Sequence, residues 1–112
     1  MLGSLQKANL DLPPNNINVN CVCPGVIYTD LWKLGAETTV SSNPELKGVD
    51  PREWFLGIFD GRYSIPGGNL PTPLRREQTV EDIGRAVVFL ASEDAANISG
   101  QALNVDGGMI KS

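Results

Sequence analysis

Apolar positions along the chain alternate between a helical period and a period of two, and the switches between them mark out the elements. Leu2, Leu5, Ala8 and Leu12, with Leu10 beside them, recur at near-helical spacing. They predict an amphipathic packing helix over residues 1–14, stopped by Pro13-Pro14 before Asn15-Asn16 turns the chain. From Ile17 the spacing shortens. Ile17, Val19, Cys21 and Cys23 share one face of a predicted strand and Val22 lies on the other, and the strand should end at Pro24, which cannot donate to a central ladder. Ligands of open α/β sheets bind just beyond the carboxyl ends of strands, so Pro24 to Thr29 is the first candidate for a functional loop.

After Thr29, Asp30 to Leu34 reads as one short helical turn closed by Gly35, followed by a polar stretch from Ala36 to Val49. Asp50-Pro51-Arg52-Glu53 is a firmer helix start, with Asp as N-cap, Pro at the first helical position and Glu as in a capping box. Trp54, Phe55, Ile58 and Phe59 continue it as an apolar stripe, and Gly61, Pro66, Gly67, Gly68, Pro71 and Pro73 keep the chain irregular up to Leu74. A segment of about forty residues with only short helices is longer than most connections, and such insertions are usually binding loops or lids. The aromatic stripe either lines a pocket in this lid or only holds it to the body. Thr79-Val80-Glu81-Asp82 opens the last helix, expected to reach about Ser92, with Ile83, Ala86, Val87 and Leu90 on one face and Gly84 inside it. Gln101 to Val105 is a short strand ended by Asp106-Gly107-Gly108. Strand, crossover, helix and strand predict neighbouring parallel strands with a right-handed connection, hence an α/β fold.

Composition removes several function classes. At 112 residues the chain is one domain at most, with 41% hydrophobic and 20% charged residues, near ordinary globular usage. Its net charge of -4 and scattered basic residues offer no run to neutralise phosphates, so no nucleic-acid partner is expected. No apolar stretch approaches the roughly 18 residues of a membrane span, and the N-terminus lacks a secretory layout, so no membrane partner is expected. Cys21 and Cys23, one residue apart on a strand, are poorly placed for a local disulfide and read as small buried hydrophobes, in keeping with a cytoplasmic location. With no His, neither a Cys/His metal site nor a Cys-His nucleophile can be built.

Three blocks in order carry a resemblance: Ile17-x-Val19-Asn20-x-Val22-x-Pro24-Gly25-x-x-x-Thr29, Val80-Glu-Asp-Ile-Gly84 and Gly100-Gln-Ala-Leu-Asn-Val-Asp-Gly-Gly108. Together they resemble the C-terminal part of a short-chain dehydrogenase/reductase, over essentially the whole chain and least in the middle loop. The resemblance implies a partial Rossmann-type, doubly wound sheet: helix 1–14, strand and nicotinamide loop 16–29, substrate loop 30–78, and helix with last strand 79–108. It implies NAD or NADP as cofactor and a small alcohol or ketone as substrate of the complete protein. Within this chain it points to Pro24, Gly25, Ile27 and Thr29 as nicotinamide-side residues. The backbone would turn beneath the ring at Pro24-Gly25, Ile27 would pair with the carboxamide, and the Thr29 hydroxyl would reach carboxamide or pyrophosphate. Read without the family, Pro24-Gly25 only ends a strand and Thr29 only caps a turn. Trp32, Trp54 and Phe55 fall in the substrate loop.

The family's Tyr-x-x-x-Lys would lie just before Met1. Tyr28 is followed four places on by Trp32 and Tyr63 by Gly67, so neither makes that motif, and no glycine group here joins a first strand to a helix as a phosphate loop does. No catalytic residue is therefore assigned in the chain. Three functions stay open: the C-terminal part of an oxidoreductase inactive alone; a non-catalytic chain that pairs with full-length relatives; and a small-ligand module using the aromatic lid. Another copy of the chain or its missing half is the expected protein partner.

Overall fold

The computed structural model of the chain describes residues 2–11, 16–65 and 72–109. In chain order its elements are α1 (Leu2–Asp11), β1 (Cys21–Pro24), α2 (Asp30–Ser42), α3 (Pro51–Asp60), α4 (Val80–Leu90) and β2 (Ala102–Val105), with single 3-10 turns at Pro44–Leu46 and Glu93–Ala95. They gather into two compact units, Met1–Pro24 with Val80–Val105, and Gly25–Thr79 with Asp106–Ser112.

In the first unit β1 and β2 pair in parallel, Cys21 opposite Ala102 and Pro24 opposite Val105, and α4 packs against both strands. β1 starts at Cys21, later than the alternating pattern predicts, and includes Pro24 as its last residue. The asparagines account for the late start. Asn18 Nδ2 donates to the Ala96 carbonyl at 2.8 Å and Asn20 Nδ2 to the Ile98 carbonyl at 3.0 Å, while Asn20 Oδ1 accepts from the Gln101 N–H at 3.0 Å. The Val19 N–H donates to Ser99 Oγ at 3.1 Å and the Val19 carbonyl accepts from the Gly100 N–H at 2.7 Å. Side chains thus do locally what a ladder does in a strand. Pro24 fits at the end because the strand asks nothing more of its missing N–H.

Ser99 Oγ donates to Asn9 Oδ1, and a side chain on Gly100 would strike Asn9, so α1 sits close over this turn. Leu5 of α1 is buried, Leu10 is exposed, and Leu12 lies outside the described residues. α4 ends at Leu90, two residues before the Ser92 expected from sequence, where the Ser92 hydroxyl donates to the Phe89 carbonyl. Gly84 faces open space, so its presence marks no close approach. No residue of α4 is fully buried.

In the second unit α2 runs unbroken from Asp30 to Ser42, where the sequence predicted one turn and then a polar coil. The reason is a stripe four residues apart: Trp32 and Val40 pack on the core and Ala36 is wholly buried in it, and this outweighs the cost of Gly35. α3 begins as predicted, with Asp50 accepting from the Glu53 N–H and Pro51 at the first position, a cap worth about 1 kcal/mol. It ends at Gly61, whose φ of 88° is the left-handed cap that glycine adopts without strain. Trp54, Phe55, Ile58 and Phe59 pack with Ala36 and Leu46 into the core of this unit. Burial of each such large side chain stabilises by roughly 1.5–3 kcal/mol.

Candidate functional site

Pro24 ends β1, and the chain continues through Gly25–Thr29 into α2. A Cβ on Gly25 would come within 2.7 Å of Asp106 Cβ and 2.8 Å of Gln78 Nε2. Gly25 does not have a positive φ, so it is needed here for closeness rather than for an unusual turn. Ile27 forms a parallel bridge with Gln78, which ties the loop to the segment before α4. Thr29 occupies the N-cap position of α2 and its carbonyl accepts from the Lys33 N–H at 2.8 Å, yet its hydroxyl makes no capping bond and the residue is exposed. The hydroxyl is therefore not consumed by the helix it starts.

Of the three substrate-loop aromatics, Trp54 and Phe55 are interior side chains, and Phe55 has no exposed surface. Trp32 is half-buried and meets Phe55 edge-on, centroids 5.8 Å apart. Burial of Trp54 and Phe55 takes from a pocket the side chains that the sequence allowed as its lining. Tyr28 also packs on Phe55, and Tyr63 lies over Gly57, where any Cβ would fall into the ring.

Sequence reasoning missed the polar residues that close this region. Arg52 lies 4.6 Å above the Tyr28 ring and grips Glu77 with both terminal nitrogens, one of them 2.8 Å from Glu77 Oε2. The Glu77 carboxylate pushes the Arg52 guanidinium above its ordinary pKa, so this arginine keeps its charge throughout. Thr72, Gln78 and Asp106 are buried polar side chains, and Asp106 Oδ1 accepts from the Gly108 N–H at 2.9 Å. Gly107 and Gly108, both at positive φ, sit against Thr72 and Pro73. Asp106-Gly107-Gly108 was legible as a strand terminator and as the end of a family block, not as a buried contact, and nothing local distinguishes Gln78 from a solvent-facing loop residue. Among the described residues no group of three or more His, Cys, Asp or Glu could hold a metal ion, and no helix is long and apolar enough to cross a membrane.

Comparison with known proteins agrees with this geometry. A family profile described as Enoyl-(Acyl carrier protein) reductase matches residues 68–110. The chain is 35% identical over 109 residues to the 3-oxoacyl-[acyl-carrier-protein] reductase FabG of Chlamydia trachomatis, covering 97% of this chain and 34% of that protein. It is 30% identical over its whole length to the NADPH-dependent reductase BacG of Bacillus subtilis, covering 38% of that protein. Among solved structures, L-sorbose reductase from Gluconobacter frateurii, complexed with NADPH and L-sorbose, superposes with a TM-score of 0.76 at 29% identity, covering 99% of this chain and 37% of that one. The chain thus spans about a third of the length of the relatives it matches. Its parallel strand pair and these likenesses are those of the C-terminal part of a short-chain dehydrogenase/reductase.

Proposed function

We propose that the chain supplies the nicotinamide side of an NAD(P)-dependent oxidoreductase that interconverts a secondary alcohol and a ketone. The observation that carries this is the loop after β1: a bare glycine backbone where a Cβ has no room, followed by a threonine whose hydroxyl its own helix does not use. Gly25, pressed on Asp106 and Gln78, fixes the course of the loop, and Thr29 then presents a hydroxyl free to meet an amide or a phosphate. The relatives named above are reductases, and the solved L-sorbose reductase holds NADPH. In this reading Pro24 and Gly25 set the backbone beneath the ring, the Ile27 backbone meets the carboxamide and the Thr29 hydroxyl meets carboxamide or pyrophosphate. The nicotinamide, when bound, supplies the hydride. The chain's own part is to hold and orient it, since neither tyrosine stands in a Tyr-x-x-x-Lys sequence; proton transfer then falls to residues outside these 112, and turnover by this chain alone is not expected.

The test is titration of the 112-residue chain with NAD(H) and NADP(H), followed by tryptophan fluorescence and by sedimentation. Saturable binding that weakens in Thr29→Val and is lost in Gly25→Ala is the expected result. No saturation at millimolar nucleotide, or saturation indifferent to both substitutions, would overturn the reading.

A second reading, association with a complementary half of the family's fold or with another copy, is favoured by one specific feature. In the first unit Val22, Ile83, Val87, Leu90 and Ala91 line an open groove of about 500 Å³ together with Asn18 and Asn20. β1 pairs only with β2 among the described residues, which leaves its other edge open. The two readings are compatible, because a chain that lends half a nucleotide site must also dock.

A further inference from the structure

The buried polar side chains of the described residues number three, Thr72 at 3% exposure, Gln78 at 9% and Asp106 at 6%, and all belong to the second unit. They are not equally provided for. Asp106 Oδ1 accepts from the Gly108 N–H, whereas Gln78 Nε2, Gln78 Oε1 and Thr72 Oγ1 have no hydrogen-bond partner among the described residues. A buried amide with neither its donor nor its acceptor engaged is costly, and a native fold that keeps one has a use for it.

Its position says what that use is. The Gln78 backbone bridges Ile27, and its Nε2 lies where a Cβ on Gly25 would come within 2.8 Å, so the amide is covered by the backbone of the very loop described above. Only a glycine lets the turn lie so close. A primary amide offers one planar face with a donor and an acceptor side by side, and its best complement is another primary amide. We infer that Gln78 is a positioning residue for the nicotinamide: when the Gly25 turn shifts to admit the ring, the Gln78 amide pairs with the carboxamide and fixes which way the ring faces. This rests on the proposed nucleotide site and adds to it a side chain that reads the amide group itself.

The test compares binding of two nucleotides, NADPH and its 3-acetylpyridine analogue, which keeps the carbonyl and lacks the NH₂ group. The 112-residue chain is titrated by fluorescence as wild type, as Gln78→Met and as Gln78→Glu. Wild type should prefer NADPH by about threefold to tenfold, the range of one net hydrogen bond. Gln78→Met should bring the two affinities together, whereas Gln78→Glu, which keeps an acceptor for the NH₂ group, should keep the preference for NADPH and so separates loss of the bond from a fold defect. A structural role alone would weaken both ligands equally and leave the ratio unchanged, which overturns the assignment while the nucleotide site stands. A wild type that binds neither nucleotide overturns the site itself and the assignment with it.

Discussion

The ring of Tyr28 lies 4.8 Å from that of Phe55, centroid to centroid, at a 55° tilt. One ring belongs to the loop after β1 and the other to the middle of α3, so the candidate site is seated directly on the core of its own unit. Phe55 also meets Trp32 and, at 5.1 Å, Phe59. Phe55→Ala should cost about 3–5 kcal/mol through lost contacts and an unfilled cavity, enough to remove most of the stability of a small domain. Urea unfolding followed by tryptophan fluorescence checks this. A midpoint unchanged from wild type would mean that the cluster is not cooperative with the fold.

Gly25→Ala tests closeness at the loop without removing any contact. The added methyl group meets Asp106 Cβ and the Gln78 amide at distances that side chains do not tolerate, and the Asp106 contact cannot be relieved by turning a flexible tip. Overpacking of this kind costs about 1–3 kcal/mol. Gly84→Ala is the control, because Gly84 faces open space inside α4 and alanine there should stabilise by roughly 0.5–1 kcal/mol. Thermal melts of the two variants should therefore move in opposite directions.

Much of this was legible in the sequence, and the failures share a cause. Asp50-Pro51, Gly61 and the acidic start of α4 are local signals, and local chemistry fixed those boundaries. Pro24-Gly25 was readable because a residue without an N–H can close an apolar alternation but cannot carry it on through a central ladder. The continuation of α2 past Gly35 was not, since what decides it is the burial of Ala36 beneath Phe55 and its neighbours, a contact between segments far apart in sequence. The late start of β1 was hidden in the same way: Asn18 and Asn20 are good strand-edge residues or good loop clamps depending on whether the carbonyls of Ala96 and Ile98 are within reach. Gln78 and Arg52 were invisible for that reason too, each defined by a partner across the unit.

Asp60 supplies a pH test. The Arg62 N–H at 3.1 Å and its guanidinium at 2.8 Å hold the Asp60 carboxyl below its ordinary pKa. A carboxyl with a depressed folded value stabilises above its unfolded pKa, near 3.9, and the contribution disappears as pH falls through the lower folded value. Asp60→Asn should therefore melt slightly below wild type at pH 6, and the gap should close in acid, as pH falls below the unfolded value and through the lower folded one. The effect is small because the pair is exposed, and added salt should shrink it. A gap that persisted at pH 2 would assign the loss to shape rather than charge.

α4 is the most amphipathic of the described helices and yet buries no residue fully; Val80, Val87, Val88 and Phe89 are all exposed. Nothing among the described residues covers the groove lined by Val22, Ile83, Val87 and Leu90, which stays wet unless another surface fills it. Free energy of order 25 cal/mol for each Å² of apolar surface waits on that contact, which favours self-association. Val87→Lys places a charge in the groove at a half-exposed position where the helix tolerates lysine, so it should leave the fold intact and shift sedimentation toward the monomer. Lys at Glu81, on the same helix but outside the groove, should leave the distribution as in wild type. If wild type sediments as a monomer at all concentrations and neither substitution changes it, the groove is not a surface for self-association, and the part of the second reading that pairs two copies falls with it.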